Sequence, residues 1–194
     1  MKKIILSAAL IATGIFATAQ KNTILVAGEV GYSNTKTDWS GTSTSTSTLT
    51  ANPKIGYQFS DRMTVGAEWK YTESDSDVAT FSHSQKIGGF LRYAVPLSNT
   101  FAAYADLGAG YQYTGVGATS GKGFYADLVP ALFINVKNGF GLNFNIGGIG
   151  YSKLNHTTKG STVDYDTNDF NFSFGKSIGF GISKNFGAGK VASN

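Results

Sequence analysis

Residues 53–71 read PKIGYQFSDRMTVGAEWKY, and this stretch decides the fold. On one side of Ser60-Asp61-Arg62, Ile55, Tyr57 and Phe59 alternate with Lys54, Gly56 and Gln58. On the other, Met63, Val65, Ala67, Trp69 and Tyr71 alternate with Thr64, Gly66, Glu68 and Lys70. A period of two puts one set on each face of a β-strand. Opposed residues of an antiparallel pair share a face, so apolar positions on both arms of a hairpin must match in parity. Odd positions are apolar on both arms here, and a one-residue slip would turn every side chain over.

The same pulse recurs along the chain. It predicts strands at about 23–33, 48–59, 63–72, 81–95, 101–114, 124–137, 140–151 and 170–186. Three connections are tight: Ser60-Asp61-Arg62, Ser98-Asn99-Thr100 and Lys137-Asn138-Gly139. Between them come longer segments rich in Ser, Thr, Gly and Asp, near 34–47, 73–80, 115–123 and 152–169, expected as loops. Parity agrees across all three tight turns: odd positions are apolar around 61 and 99. Around 138 the even positions are, with Leu128, Leu132 and Ile134 facing Phe140, Leu142, Phe144 and Ile146. The tract Gly41–Thr48 is Ser/Thr low complexity, which fits a flexible loop or an extension of the strand.

Composition says which face meets what. Charged residues make up 14% of the chain, against about 25% in ordinary soluble domains. A soluble barrel with its apolar face inward would need an outer coat of Lys and Glu. The polar face is instead mostly Gly, Ser, Thr, Asn and Ala, which suits a narrow lumen. The apolar face carries aromatics near strand ends, among them Tyr32, Tyr57, Phe59, Trp69, Tyr71, Tyr93, Phe101, Tyr111, Tyr113, Phe124, Phe140 and Phe186. Aromatic girdles of this kind sit at the two bilayer interfaces. The expected fold is all-β, an eight-stranded antiparallel up-and-down transmembrane barrel over residues 20–186. Closure leaves no backbone edge in lipid.

The N-terminus begins Met-Lys2-Lys3, continues apolar from Ile4 to Phe16 and ends Ala17-Thr18-Ala19. These are the three parts of a secretory signal, expected over residues 1–19. The apolar run falls well short of the roughly 20 residues a membrane helix needs. No later stretch approaches that length, which excludes a helical membrane protein. The formal charge of +4 becomes +2 without Lys2 and Lys3, too small and scattered for nucleic acid. The chain contains no cysteine, hence no disulfide and no lipoprotein anchor.

From about Thr23 to Phe186 the chain resembles the small eight-stranded outer-membrane β-barrels of the OmpA/OmpX type, often called porin-like. The segments that carry this are Ile24–Tyr32, Pro53-Lys54-Ile55-Gly56-Tyr57, Val65-Gly66-Ala67, Leu91-Arg92-Tyr93 before Pro96-Leu97, and the last strand ending in Phe186. The resemblance implies short turns in the periplasm, longer loops outside, both termini inside, and recognition of the terminal aromatic, Phe186, by the barrel assembly machinery. Members usually stop at that aromatic, whereas this chain adds a short tail, Gly187–Asn194.

Eight charges fall on the small-residue face: Glu29, Lys54, Glu68, Lys70, Lys86, Arg92, Asp106 and Asp127. Eight strands leave an interior that side chains fill, so these groups are expected in the lumen, where a charge needs a partner. Lys54 should lie opposite Glu68, and Arg92 within a diagonal step of Asp106. A polar plug that fixes the barrel's shape is the plainer expectation, and a narrow ion or small-solute path gated by rearranged pairs is the alternative. Lys176 and Lys184 fall on the apolar parity. Counting back from Phe186 puts Lys176 at the outer rim, within reach of lipid phosphates.

Other constellations are weaker. His83 and His156 are the only histidines, in or beside expected outer loops, and nothing fixes a nucleophile and acid around either. Asp164, Asp166 and Asn168 have the spacing that opens a calcium loop, but Asp169 and Gly175 stand where Gly and Glu belong. Glu73, Asp75 and Asp77 are equally incomplete. Gly117–Lys122 fails as a phosphate loop, because three residues instead of four separate Gly117 from Gly121 and Gly123 follows Lys122.

The expectation is therefore a non-enzymatic outer-membrane protein with a structural or surface-interaction role, without metal or cofactor. It would be a monomer with outer-membrane lipids around it and an unidentified loop partner. A channel comes second and a lipid-modifying enzyme third. If the signal reading is right, N-terminal sequencing of the protein from the outer-membrane fraction will begin at Gln20; a chain that still begins at Met1 would contradict it.

Overall fold

A computed structural model describes residues 21–39, 42–77, 81–160 and 164–187; the expected signal, residues 1–19, and the tail after Gly187 lie outside them. The described residues form eight strands. They are β1 (Thr23–Trp39), β2 (Thr42–Gln58), β3 (Met63–Ser76), β4 (Ser82–Pro96), β5 (Phe101–Val116), β6 (Thr119–Lys137), β7 (Phe140–Thr158) and β8 (Tyr165–Phe186). Each pairs antiparallel with the next, and β8 returns to β1 to close the barrel.

Local chemistry fixes the short-turn end. Ser60 Oγ accepts from the Met63 N–H at 3.1 Å, and Ser98 Oγ accepts from the Phe101 N–H at 3.0 Å. Asn138 and Gly139 take φ of 51° and 74°, the pair of positive values that a two-residue hairpin with the twist of its strands requires. Strands therefore stop at Gln58, Pro96 and Lys137, beside the expected 59, 95 and 137.

At the other end the expected loops are largely strand. β1 and β2 stay paired through Tyr32↔Leu49 to Trp39↔Thr42, and β7 and β8 through Tyr151↔Phe170 to His156↔Tyr165. The Ser/Thr tract is a strand extension, because its hydroxyls bond across the sheet instead of to their own backbone. Thr48 and Ser74 hydroxyls lie 2.8 Å apart, and the Thr46 hydroxyl donates to Ser76 at 3.0 Å. Thr is also at ease on a pleated surface. The barrel wall thus continues as a hydroxyl-rich β-collar.

Parity holds as expected through β1–β5: Lys54↔Glu68 face inward while Ile55↔Ala67 and Tyr57↔Val65 face outward. In β7 it holds only to a bulge. The β6–β7 register shifts between Leu128 and Ala131, opposite Gly147 at φ 119°. Pro130, without an N–H for the ladder, sits on the β6 side of that break. Leu142 and Phe144 pair with the outward Ile134 and Leu132 below the bulge, and Ile149 and Tyr151 turn outward above it. The even parity expected beside turn 138 therefore holds through Phe144 and ends at the bulge.

Closure is incomplete along one seam. β1 and β8 pair only from Ile24↔Phe186 to Glu29↔Gly181, six positions against seventeen between β1 and β2. Beyond Glu29, β1 runs on to Trp39 and β8 runs back to Tyr165 without pairing to each other. Val30 and Ile178, flanking the parted seam, are 75% and 70% exposed.

The chain's lack of cysteine makes the seam measurable. Oxidation of Val26→Cys/Lys184→Cys, a paired position, is expected to give a cross-link, and Tyr32→Cys/Ile178→Cys, above the last pair, is expected to give none. Equal cross-linking at both would mean a seam zipped along its length.

Candidate functional site

The inward faces of β2–β5 assemble a compact charge network. Asp106 and Arg92 are directly paired, closer than the diagonal placement expected from the turn. Arg92 Nε donates to Asp106 Oδ1 at 2.6 Å and Nη2 donates to Oδ2 at 2.9 Å, a bidentate fork that suits guanidinium and carboxylate. Lys54 reaches across from β2 to bridge two carboxylates, Glu68 Oε2 at 2.9 Å and Asp106 Oδ2 at 3.0 Å. Arg92 and Asp106 are buried, and the flanking side chains of Lys54 and Glu68 are only 10% and 11% exposed.

Aromatic rings pack this network. The Arg92 guanidinium lies 3.8 Å from the Tyr104 ring centre, and Lys54 Nζ lies 5.1 Å from that of Phe90. Tyr125 donates its hydroxyl to Glu68 Oε1 at 2.9 Å, and Tyr104 donates to Asn143 Oδ1 at 3.1 Å. Glycines make the room. A Cβ on Gly66 would stand 2.7 Å from the Phe90 ring, and one on Gly88 would stand 2.6 Å from the Tyr125 hydroxyl.

Above the network the lumen opens into a cavity of about 460 Å³ whose floor includes Lys54, Arg92, Tyr104 and Asp106. Lys86 and Asp127 form a separate ion pair in its wall at 2.8 Å, with Lys86 Nζ 4.7 Å from the Tyr125 ring centre. Glu29 accepts from Asn145 Nδ2 at 2.9 Å. Lys70 lines the same cavity, directly paired in register with Lys86. Among the described residues, neither Glu29 nor Lys70 has an ion-pair partner.

All eight inward charges therefore reach one lumen or its cavity. Parity alone could not show that Lys54 bridges to Asp106 across two strands, or that Lys86 bridges to Asp127. The neutral partners Tyr104, Tyr125, Asn143 and Asn145 also escaped the sequence reading. Their inward parity was the available signal, because a Tyr or Asn on a lumen face needs a hydrogen-bond partner.

The remaining candidates do not join this site. His83 is outward beside Phe81 and Tyr113, with ring centres 6.0 and 5.6 Å away. His156 stacks on Tyr165 at 4.7 Å, with Nε2 2.9 Å from the Thr167 hydroxyl. Asp166 and Asn168 lie along an extended strand and are engaged by Asn155 and the Tyr151 hydroxyl. Glu73 accepts from the Tyr71 hydroxyl at 2.6 Å, and Asp77 accepts from the Ser45 N–H at 3.0 Å. No cluster of three or more metal-ligating side chains occurs among the described residues. Lys184 donates to the Asn138 carbonyl at the short-turn end. Phe186 ends β8, exposed and paired with Ile24.

β8 runs past Lys176, with Phe174, Phe172 and Phe170 exposed beyond it. Ten residues separate Lys176 from Phe186 along the strand, and its side chain lies outside the described residues.

Comparison with known proteins follows from this geometry. Among curated proteins, none matches the chain. Among solved structures, it is similar to the outer membrane protein OprG from Pseudomonas aeruginosa. Identity is 14% over 87% of this chain and 99% of that one, with a TM-score of 0.48. It is also similar to the translocator domain of the autotransporter NalP from Neisseria meningitidis. There identity is 15% over 97% of this chain and 77% of that one, with a TM-score of 0.43. Residues 5–189 match the outer membrane protein beta-barrel domain, nearly the whole length of the chain, and the protein belongs to that family.

Proposed function

We propose that the protein is a non-enzymatic, monomeric outer-membrane barrel with a plugged lumen and a structural or surface-interaction role, delivered by a cleaved signal. The observation that carries this reading is the network on Asp106, which ties β5 to its neighbour β4 through Arg92 and to β2 across the lumen through Lys54. An ion passing through would have to displace a buried carboxylate from two cations, and the rings of Phe90 and Tyr104 fill the remaining width beside them. Buried lumen residues Thr23, Leu25, Gln58, Thr64, Asn143 and Ser183 continue the filling towards the short-turn end. Phe186 is the strand-terminal aromatic offered to the assembly machinery, and lipids surround the wall.

The surface role rests on the β-collar. Extended hairpins with cross-strand hydroxyl pairs such as Thr119 and Thr158, 2.9 Å apart, present a firm polar rim rather than mobile loops. Such a rim suits contact with a partner outside the cell, and that partner is unidentified.

The second reading, a narrow channel gated by the lumen pairs, is favoured by the cavity above the network. Planar-bilayer conductance separates the two. The plugged barrel is expected to be silent, and Lys54→Ala or Glu68→Ala should leave no discrete open steps in their place. Single-channel steps in the wild-type protein whose size changes in either variant would establish the channel instead.

A further inference from the structure

The cavity and the parted seam beside it have complementary chemistry. Six of the eight inward charges expected from the sequence are mutually paired, which leaves Glu29 and Lys70 of that set; Asp169 of β8 also lines the cavity without an ion pair among the described residues. Glu29 and Lys70 both line the cavity. They belong to one row across the sheet: Glu29 pairs with Asn52, and Lys70 with Lys86, which pairs with Gln112. The β2–β3 register, Ala51↔Tyr71 and Lys54↔Glu68, sets Lys70 beside Asn52. Two inter-strand steps thus separate Glu29 from Lys70, about 10 Å between backbones.

The row also holds two unanswered acceptors. Gln112, 9% exposed, leaves Oε1 without a hydrogen-bond partner, and so does Oδ1 of Asn52. A buried carbonyl oxygen without a donor is costly, so each calls for an N–H or O–H from an occupant. Along the row the wall therefore offers a negative group at Glu29, an acceptor at Asn52 and a positive group at Lys70, with the second acceptor, Gln112, beyond Lys86.

The seam leads from this row into the bilayer. Pairing between β1 and β8 stops at Glu29↔Gly181, the strand position that carries the anion of this row. Above it both edges carry exposed apolar side chains, Val30 and Tyr32 on β1 and Ile178, Phe174 and Phe172 on β8, each at least 66% exposed, with Lys176 at the same parity between Ile178 and Phe174. Asn171 and Ser173 of β8 line the cavity from the opposite edge. Unpaired backbone is tolerated at membrane depth where it lines a polar cavity.

We propose that the cavity and seam bind a zwitterionic amphiphile of the phosphoethanolamine type. Its ammonium would sit at Glu29 and the Asn52 amide oxygen, its phosphate at Lys70, and its hydrocarbon chain would leave between Val30 and Ile178. The seam decides for a lipid over a free zwitterion, since a soluble head group has no use for an apolar exit. The binding uses the charge network only as the cavity floor, and conductance is not among its readouts, so it stands or falls apart from the plugged-lumen reading.

Native mass spectrometry of the detergent-purified mature barrel tests it. The probes are lysophosphatidylethanolamine, lysophosphatidylglycerol with the same chain, and free phosphoethanolamine as competitor. One lysophosphatidylethanolamine per barrel is expected, held at least about tenfold more tightly than the anionic lysolipid. Glu29→Gln and Lys70→Gln should each lower that affinity by about tenfold, the effect of losing one charge-assisted hydrogen bond. The unboiled, compact gel band shows that each variant is folded. Equal retention of the two lysolipids, or no loss in either folded variant, would overturn the proposal. So would free phosphoethanolamine competing as well as the lysolipid, which would mean that the seam takes no part.

Discussion

Asp106 accepts hydrogen bonds from Arg92 on the neighbouring strand and from Lys54 on a strand beyond, and the interior of the barrel is arranged around that contact. Removing one partner of a buried ion pair costs about 3–5 kcal/mol, because the other charge is left without compensation. A one-residue slip of a strand would do worse. It would send these charges to the lipid face, where a cation costs about 2–4 kcal/mol at the midplane, and bring Ile55, Tyr57 and Val65 into the lumen. The network and the lipid thus specify the same register from opposite sides of the wall. Glycines at 66 and 88 are part of this arrangement, since a Cβ there would meet the backbone of the neighbouring strand first and then the Phe90 ring or the Tyr125 hydroxyl.

Much of this was legible in the sequence because a barrel wall is a local code. Alternation gave the strands, tight turns at 61, 99 and 138 gave the pairing order, and parity placed Glu29, Lys54, Glu68, Lys70, Lys86, Arg92, Asp106 and Asp127 inside. What lay beyond pairwise rules was not legible. The reach of Lys54 to Asp106 and of Lys86 to Asp127 depends on barrel curvature and side-chain length. The bulge at Gly147 has only weak sequence cues, a glycine pair facing Pro130, and it reverses the faces of Ile149 and Tyr151. The Ser/Thr-rich segments read as loops because their composition is polar, yet their cross-strand hydroxyl bonds make them strand.

The two ends of the barrel are built on different terms. At the short-turn end, side chains fill the lumen, and tight hairpins held by Ser60, Ser98 and Asn138-Gly139 close the strands. At the other end the hairpins lengthen, the lumen widens to a cavity, and β1 and β8 part after Glu29. Pairing that stops while both strands continue concentrates unpaired backbone and exposed apolar side chains at one meridian. That asymmetry gives an otherwise plain wall a distinct place to meet a ligand, and the paired charges beneath supply a rigid floor for it.

The most direct test of the central claim is the temperature at which the compact, unboiled gel band converts to the unfolded one, in Asp106→Ala against the wild-type barrel. The account predicts a clearly lowered conversion temperature, because Arg92 and Lys54 lose their shared partner. Conversion at the same temperature in both would mean that the Asp106 contact does not hold the lumen together.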